Sequence, residues 1–511
     1  MSKIVKKFIS ISLLLVISVG ISACQKDARP SSNTNADKEN TGQESSASAS
    51  STSSDSAVQE KDSEKQSKSD LPLVFIEGGF YGLKDATGNI LAEAKFDFIS
   101  EQIDSDRVLA VKEQKWGYLD MNGKEVISLS YERAFPFADG LAQVMIDGKY
   151  GFINTQNEVI IPAEYPQALN LRSGFAKAEI GDKQWVLFDS HGTKLSSYEN
   201  IFYFTEGRAK FQKDGKYGFL DENGKEVIPA IYEKADAFTD SLSSVKKDGK
   251  YGAIDKSGKE LLPFEYSSLQ IDAADQIWFI KDNEWGMMKA DGTVVIPGDY
   301  AFFESFEGDV KIAPFSKDGD AYGFIDKNGK QLTDFIYEHG TTRVSEGAAA
   351  VLKDGLWGII DGEGKEILPP SMDYEEIFSF SQGLALVSKD DKVGYIDKQG
   401  KVVIPLIYDY PGETFEENGI AAVRLNGKSG CIDTKGNLIV PAIYDNIPSF
   451  HGRAVSVTSN ELNGCVDMTG KELIPVIYEK PFYFFDGIAE MEKDGRKLLF
   501  SEMGHILYQE K

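Results

Sequence analysis

Four histidines, His191, His339, His451 and His505, are the side chains best suited to metal or proton chemistry in this chain, and no two stand at a zinc-binding spacing. Each falls in or beside a predicted turn, which assigns all four to the surface. Gly427-Lys428-Ser429 has the ending of a phosphate-cradling loop, but Ala422 stands where the first glycine of such a loop belongs, so the match fails. No Gly-x-Ser-x-Gly elbow for an activated serine occurs, and no Gly-x-Gly-x-x-Gly turn for a dinucleotide. Acidic residues are abundant, 81 Asp and Glu against 55 Lys and Arg, so a carboxylate pair of the glycosidase kind is not a discriminating signal. The formal charge of -26 repels phosphate and so disfavours nucleic acid and direct adhesion to anionic lipid. Catalytic, cofactor-binding and metal-ligating residues are therefore expected to be absent.

The elements that would position any site are repeated. A glycine, preceded by an aromatic residue as far as Gly358, recurs at Gly82, Gly117, Gly151, Gly218, Gly252, Gly286, Gly323, Gly358, Gly394, Gly430 and Gly464, with Val186 and Leu498 in two divergent copies. The period is about 35 residues and gives thirteen units. The aromatic partner is Tyr81, Trp116, Tyr150, Trp185, Tyr217, Tyr251, Trp285, Tyr322 and Trp357, and the last four units lack it. A glycine in mid-strand marks a bulge or a close approach, here expected to be a ring from an adjacent unit. Three residues on stands Asp or Asn, as in Asp85, Asp120 and Asn154, and three further a glycine such as Gly88 or Gly123, the chemistry of a tight turn. Asp-x-x-Gly lacks the alternating oxygens of a calcium loop. An apolar strand follows, containing a proline (Pro162, Pro229, Pro263, Pro297, Pro369, Pro405, Pro441 or Pro475) that should end the strand or lie on its edge. A tyrosine such as Tyr131, Tyr165 or Tyr232 comes next, and stretches such as Phe135 to Val144 close the unit.

Each unit thus reads as three or four short antiparallel strands, and no segment shows a sustained helical period. The predicted fold is all-β, a tandem array of about thirteen antiparallel units. An open solenoid is favoured over two propeller-like rings, because 35 residues is short for a four-stranded blade and no linker breaks the series. Cys431 and Cys465 directly follow marker glycines in adjacent units, where other units carry apolar residues. Buried thiols are the plain reading; a disulfide forms if the units bring their Cα atoms to about 4.4 to 6.8 Å. The one stretch that gains residues, Pro369 to Tyr374, reads as a lengthened loop.

Trp116-Gly117, Trp285-Gly286 and Trp357-Gly358, with the Asp-x-x-Gly-Lys turn and the Ile-Pro-x-x-Tyr that follow, resemble the WG-repeat family of bacterial proteins. The resemblance covers residues 71–511 and implies a β-rich repeat of secreted and surface proteins, with no catalytic residues to carry over. At the other end Lys3, Lys6 and Lys7 precede the apolar run Phe8 to Ile21, a secretory signal over residues 1–23. Ile21-Ser22-Ala23-Cys24 resembles the bacterial lipoprotein signal, which implies a lipidated Cys24 and a chain anchored outside the cytoplasm. Residues 24–70, rich in Ser, Lys and Glu and without aromatics, read as a disordered tether with a reach of about 35 to 40 Å. The expected function is a non-catalytic binding or scaffold module at the cell surface, for wall glycan or a surface protein. The competing reading is an envelope hydrolase or sensor with a single site in an atypical repeat.

Overall fold

The computed structural model describes residues 71–181, 184–303, 312–338, 342, 344–451 and 453–510. Residues 1–23, with the predicted signal, and the predicted tether, with Cys24, lie outside the described residues. Among the described residues the chain forms thirteen separate antiparallel sheets of three or four strands, each hydrogen-bonded in sequence order. The all-β tandem array is therefore the architecture the chain adopts. The first sheet consists of β1 (Leu73–Glu77), β2 (Phe80–Lys84) and β3 (Ile90–Phe96); the second of β4 (Phe98–Asp104), β5 (Arg107–Lys112), β6 (Lys115–Leu119) and β7 (Glu125–Tyr131). The third runs from β8 (Arg133–Ala134) through β9 (Leu141–Ile146) and β10 (Lys149–Asn154) to β11 (Val159–Tyr165).

Turn chemistry sets these boundaries. Between the second and third strands of a full sheet, pairs such as Asp147-Gly148 and Asp214-Gly215 place both residues at positive φ, the two-residue turn whose twist matches that of the flanking strands. Between the third and fourth strands stands Asp-x-x-Gly. Asp120 Oδ1 accepts from the backbone N–H of Asn122 and of Lys124, both at 2.9 Å, and Gly123 takes φ 77°. The stretches from Phe135 to Val144 and from Phe380 to Val387 contain the first hairpin of a sheet rather than its close, so the structural unit is shifted in phase from the sequence unit.

The marker glycine sits beneath a wide bulge. In the third sheet Tyr150 pairs with Tyr165, and Phe152 pairs with Ile161, so Gly151 alone faces Pro162, Ala163 and Glu164. A Cβ on Gly151 would lie 2.4 Å from the Ile161 carbonyl oxygen; on Gly117 it would lie 2.6 Å from that of Ile127. Hence at these glycines the close approach comes from the facing strand of the same sheet, whereas at Gly82 and Gly286 a ring on the preceding strand, Phe75 or Phe279, stands nearest. The proline rides on this bulge in the middle of the fourth strand rather than ending it, and that strand is a sheet edge, where a missing N–H costs no ladder bond.

Each sheet packs on its sequence neighbours through layers of buried Val, Ile, Leu and Phe. One core cluster joins Phe219, Ile228 and Tyr232 to Phe238, Val245 and Ile254 of the following sheet. The two ends of the array also meet. Trp116 Nε1 donates to the Leu507 carbonyl oxygen at 2.9 Å, and Gln102 Nε2 donates to Asp486 Oδ2 at 2.7 Å. His505 Nε2 lies 2.9 Å from the Gly79 carbonyl oxygen, and its ring stacks on Phe80 at 4.8 Å. Leu499 and Leu507 of the last sheet share a core with Tyr81, Leu83 and Trp116.

Candidate functional site

The nine marker aromatics are the first candidates for a surface that binds, and every one faces inward. Tyr81, Trp116, Tyr322 and Trp357 are 3, 1, 7 and 3 % exposed. Tyr150, Trp185, Tyr217, Tyr251 and Trp285 are half-buried. The cause lies in the register: seven stand directly across the bulge from the tyrosine that closes the sheet, as in Trp116–Tyr131, Tyr217–Tyr232 and Trp285–Tyr300, and Tyr81 stands across from Phe96. In the stretch around Pro369, Met372 takes that tyrosine's place opposite Trp357, whose Nε1 donates to the Tyr374 carbonyl oxygen at 3.1 Å. Three half-buried rings also carry a lysine, Tyr251 having Lys246 Nζ at 5.4 Å. Lys177 Nζ stands 4.4 Å from the Trp185 ring and donates to Asn200 Oδ1 and to the Ile201 carbonyl oxygen, and burial pushes its ammonium down to about 8. Lys210 Nζ lies over Phe202 and Tyr217 and donates to the Ala235 carbonyl oxygen.

The repeated carboxylates are likewise engaged. Hydrogen bonds from the Ser257 hydroxyl, and then from the Ser257 and Lys259 N–H groups, hold Asp255 below the usual aspartate value; in Asp433 the Asn437 amide leads. Among the described residues no group of three or more His, Cys, Asp or Glu is placed to hold a metal. His191 sits in an Asp-x-x-Gly turn, His451 ends a strand (Asn446–His451), and His339 lies outside the described residues. Cys431 and Cys465 are both free and both fully buried, each packed in its own inter-sheet layer, so no disulfide joins them. Burial pushes each thiol up to about 12.

What the array does present is the outer face of the last strand of its sheets, the fourth in a full sheet and the third in a three-stranded one. Exposed aliphatics recur at the strand start, Ile90, Val159, Val294 and Leu438, and again just before the closing tyrosine, Ile231, Ile407, Ile443 and Ile477. The proline between these two positions is exposed in all eight units that carry it. A proline on a free edge blocks the addition of a foreign strand, so this edge offers side chains rather than backbone.

Sequence reasoning missed the residues that clasp one sheet to the next. Glu206 accepts from the N–H groups of Asp240 and Ser241 at 2.9 and 2.8 Å, Asp240 accepts from Ala274 N–H, and Glu346 accepts from Gln382 and Gly383 N–H. The signal was a second glycine series at the same period, Gly140, Gly174, Gly207, Gly347, Gly383 and Gly487, each after an acid, serine or glutamine. Asp486 of the last sheet belongs to that series, and its partner is Gln102.

The sequence matches the WG containing repeat family in eleven stretches between residues 116 and 496, more than half of the chain. No curated protein matches it. Among solved structures, the chain is similar to a eukaryotic initiation factor, at 10% identity over 58% of this chain and 95% of that one, with a TM-score of 0.29. The extracellular domains of two hybrid two-component systems from B. thetaiotaomicron match at 11% identity (87% and 76% covered, TM-score 0.26) and 10% identity (80% and 76% covered, TM-score 0.22). These superpositions are too loose to carry an argument about fold or function.

Proposed function

Because this chain belongs to the WG containing repeat family, and is a repeat-rich β protein throughout its described residues, we propose that it is a non-catalytic binding or scaffold module displayed at the cell surface and held to the membrane by a lipid on Cys24. The observation that carries the reading is that, among the described residues, the repeated aromatics and turn aspartates are committed to structure. Most marker aromatics face the closing tyrosines, turn aspartates accept backbone N–H groups, and exposed aliphatics recur on the outside beside the lysines of the turns. Inward-facing rings leave little to stack on sugar, so the favoured partner is a surface protein that packs against the exposed Ile and Val of the fourth strands, ahead of wall glycan. Large apolar rows of this kind mark protein contact surfaces. Burial pushes the Glu502 carboxyl up, and that of Asp236 likewise, yet neither lines the cavities at the end joint, so a hydrolytic centre finds no support there.

The test uses the full chain, purified in detergent and immobilised, and challenged with envelope fractions. Retention that protease treatment of the fraction abolishes supports a protein partner, and its loss in an Ile443→Lys, Ile477→Lys double variant places the contact. Retention of protease-treated wall would turn the reading towards glycan. If no envelope fraction is retained, the binding-module reading fails. A Cys24→Ser variant should leave the membrane fraction.

A further inference from the structure

Where the last sheet meets the second and third, the side chains leave a cavity of about 270 Å³. Its walls are apolar: Phe98, Leu109, Trp116, Phe135 and Leu499, with Ile488 beside them. Tyr483 and Phe485, 62 and 67 % exposed, stand at its lining as the most exposed aromatic rings among the described residues. Exposing two such rings costs the folded chain burial that most other aromatics of the array obtain, Tyr203, Tyr410 and Phe80 being exposed as well, and here a cavity lies beside the rings. The volume accommodates roughly ten non-hydrogen atoms, taking about 30 Å³ for each atom the size of a water.

Three charged residues line this space, and their pairing differs. Glu490 is bound to Lys497 at 2.9 Å, and Asp486 accepts from Gln102 across the joint. Arg133 has no carboxylate within ion-pair distance among the described residues. Its guanidinium lies 4.8 Å from the Phe135 ring centroid and reaches the Tyr150 hydroxyl only at 3.5 Å. Arg133 also lines the adjoining, wetter cavity of about 880 Å³, where Glu113, Glu132, Asp147 and Glu510 stand beside Lys115 and Lys497, so its charge stands at the border between an apolar chamber and a solvated, acidic one. An arginine fixed against a ring, with its fork unpaired, matches a planar carboxylate.

We propose that this end joint is a binding site for a small monocarboxylate with an aromatic or branched aliphatic body, the body seated among Phe98, Trp116 and Leu499 and the carboxylate received by Arg133. The site is distinct from the fourth-strand face and goes beyond the scaffold role: it is made only where the two ends of the array meet. It also gives the end joint a chemical input, since the ligand would touch both ends at once.

The experiment titrates the full chain with 3-phenylpropionate, 3-phenylpropanol and phenethylammonium, following the indole N–H signals of its five tryptophans by NMR, with Trp116 assigned from Trp116→Phe. The expected result is a saturable shift of the Trp116 signal with 3-phenylpropionate alone. In Arg133→Met, which keeps the apolar stem and so the packing on Phe135, affinity should fall about tenfold or more, the effect of losing a hydrogen bond to a charged group. An unchanged far-ultraviolet spectrum and Tm for that variant separate this loss from unfolding. The proposal is overturned if no probe shifts Trp116 at millimolar concentration, if the ammonium or the alcohol binds as well as the acid, or if Arg133→Met binds undiminished. Because this readout needs no envelope partner, its failure leaves the scaffold reading standing, and failure of the pull-down leaves this one.

Discussion

At the scale of single residues, the marker glycine is explained by distance rather than by flexibility. Gly151 needs no unusual φ; it needs the absence of a Cβ, since that atom would meet the Ile161 carbonyl oxygen at 2.4 Å, against backbone that cannot step aside. Gly151→Ala should therefore destabilise the protein by about 1–3 kcal/mol, the cost of overpacking a well-filled site. Gly362, where a Cβ would find nothing nearer than 3.9 Å, supplies the contrast: Gly362→Ala should stay within about 0.5 kcal/mol of the parent. Chemical denaturation of the two variants checks both. The need for glycine was legible in the sequence from its recurrence in mid-strand. What pressed against it was not, because the bulge that brings Pro162 and Ala163 over Gly151 is a property of the paired strands and leaves no separate mark on either.

At the scale of elements, the Asp-x-x-Gly turn found in most of the sheets is built around a carboxylate that accepts its backbone donors more strongly when ionised, while Asn154 fills the position in the third sheet. Asp85 is the clearest instance: the Thr87 hydroxyl, the Asn89 amide and the Asn89 N–H hold it down at about 2, against a usual aspartate value of 3.8. Asp255 and Asp433 are lowered by the same kind of bonds. A folded value below the unfolded one means that these turns stabilise the chain fully above about pH 5 and lose that effect as pH falls through the unfolded and then the folded value. Thermal melts should show Tm falling below pH 4 in the parent. Asp255→Asn, which cannot ionise, should lower Tm at pH 7 and follow a shallower acid decline; equal slopes in parent and variant would count against this account. The turns were readable beforehand because Asp and Gly act locally. The clasps between sheets, Glu206 to Asp240 and Asp240 to Ala274, were not read, since their partners lie about 34 residues apart and only a second period in the glycines betrays them.

At the scale of the molecule, the contact between the ends was beyond any local signal: Trp116 and Leu507 are separated by 391 positions. Trp116→Phe keeps the ring but leaves the Leu507 carbonyl without its donor, at a cost of about 1–3 kcal/mol. Hydrogen exchange should quicken in the first, second and last sheets together, whereas Trp357→Phe, whose lost bond is to Tyr374, should act only near its own sheet; unchanged exchange in the last sheet of the Trp116 variant would show that the joint carries no stability. Tandem arrays whose units touch only their neighbours have terminal units with a single supporting interface, and these are where melting begins and where proteases enter. Here the first and last sheets each have support on two sides, so no unit is terminal in the energetic sense. The order in which the chain visits its sheets then matters little to how they hold together: a protein cut open at another inter-sheet link, with its old termini joined, would keep the same set of interfaces.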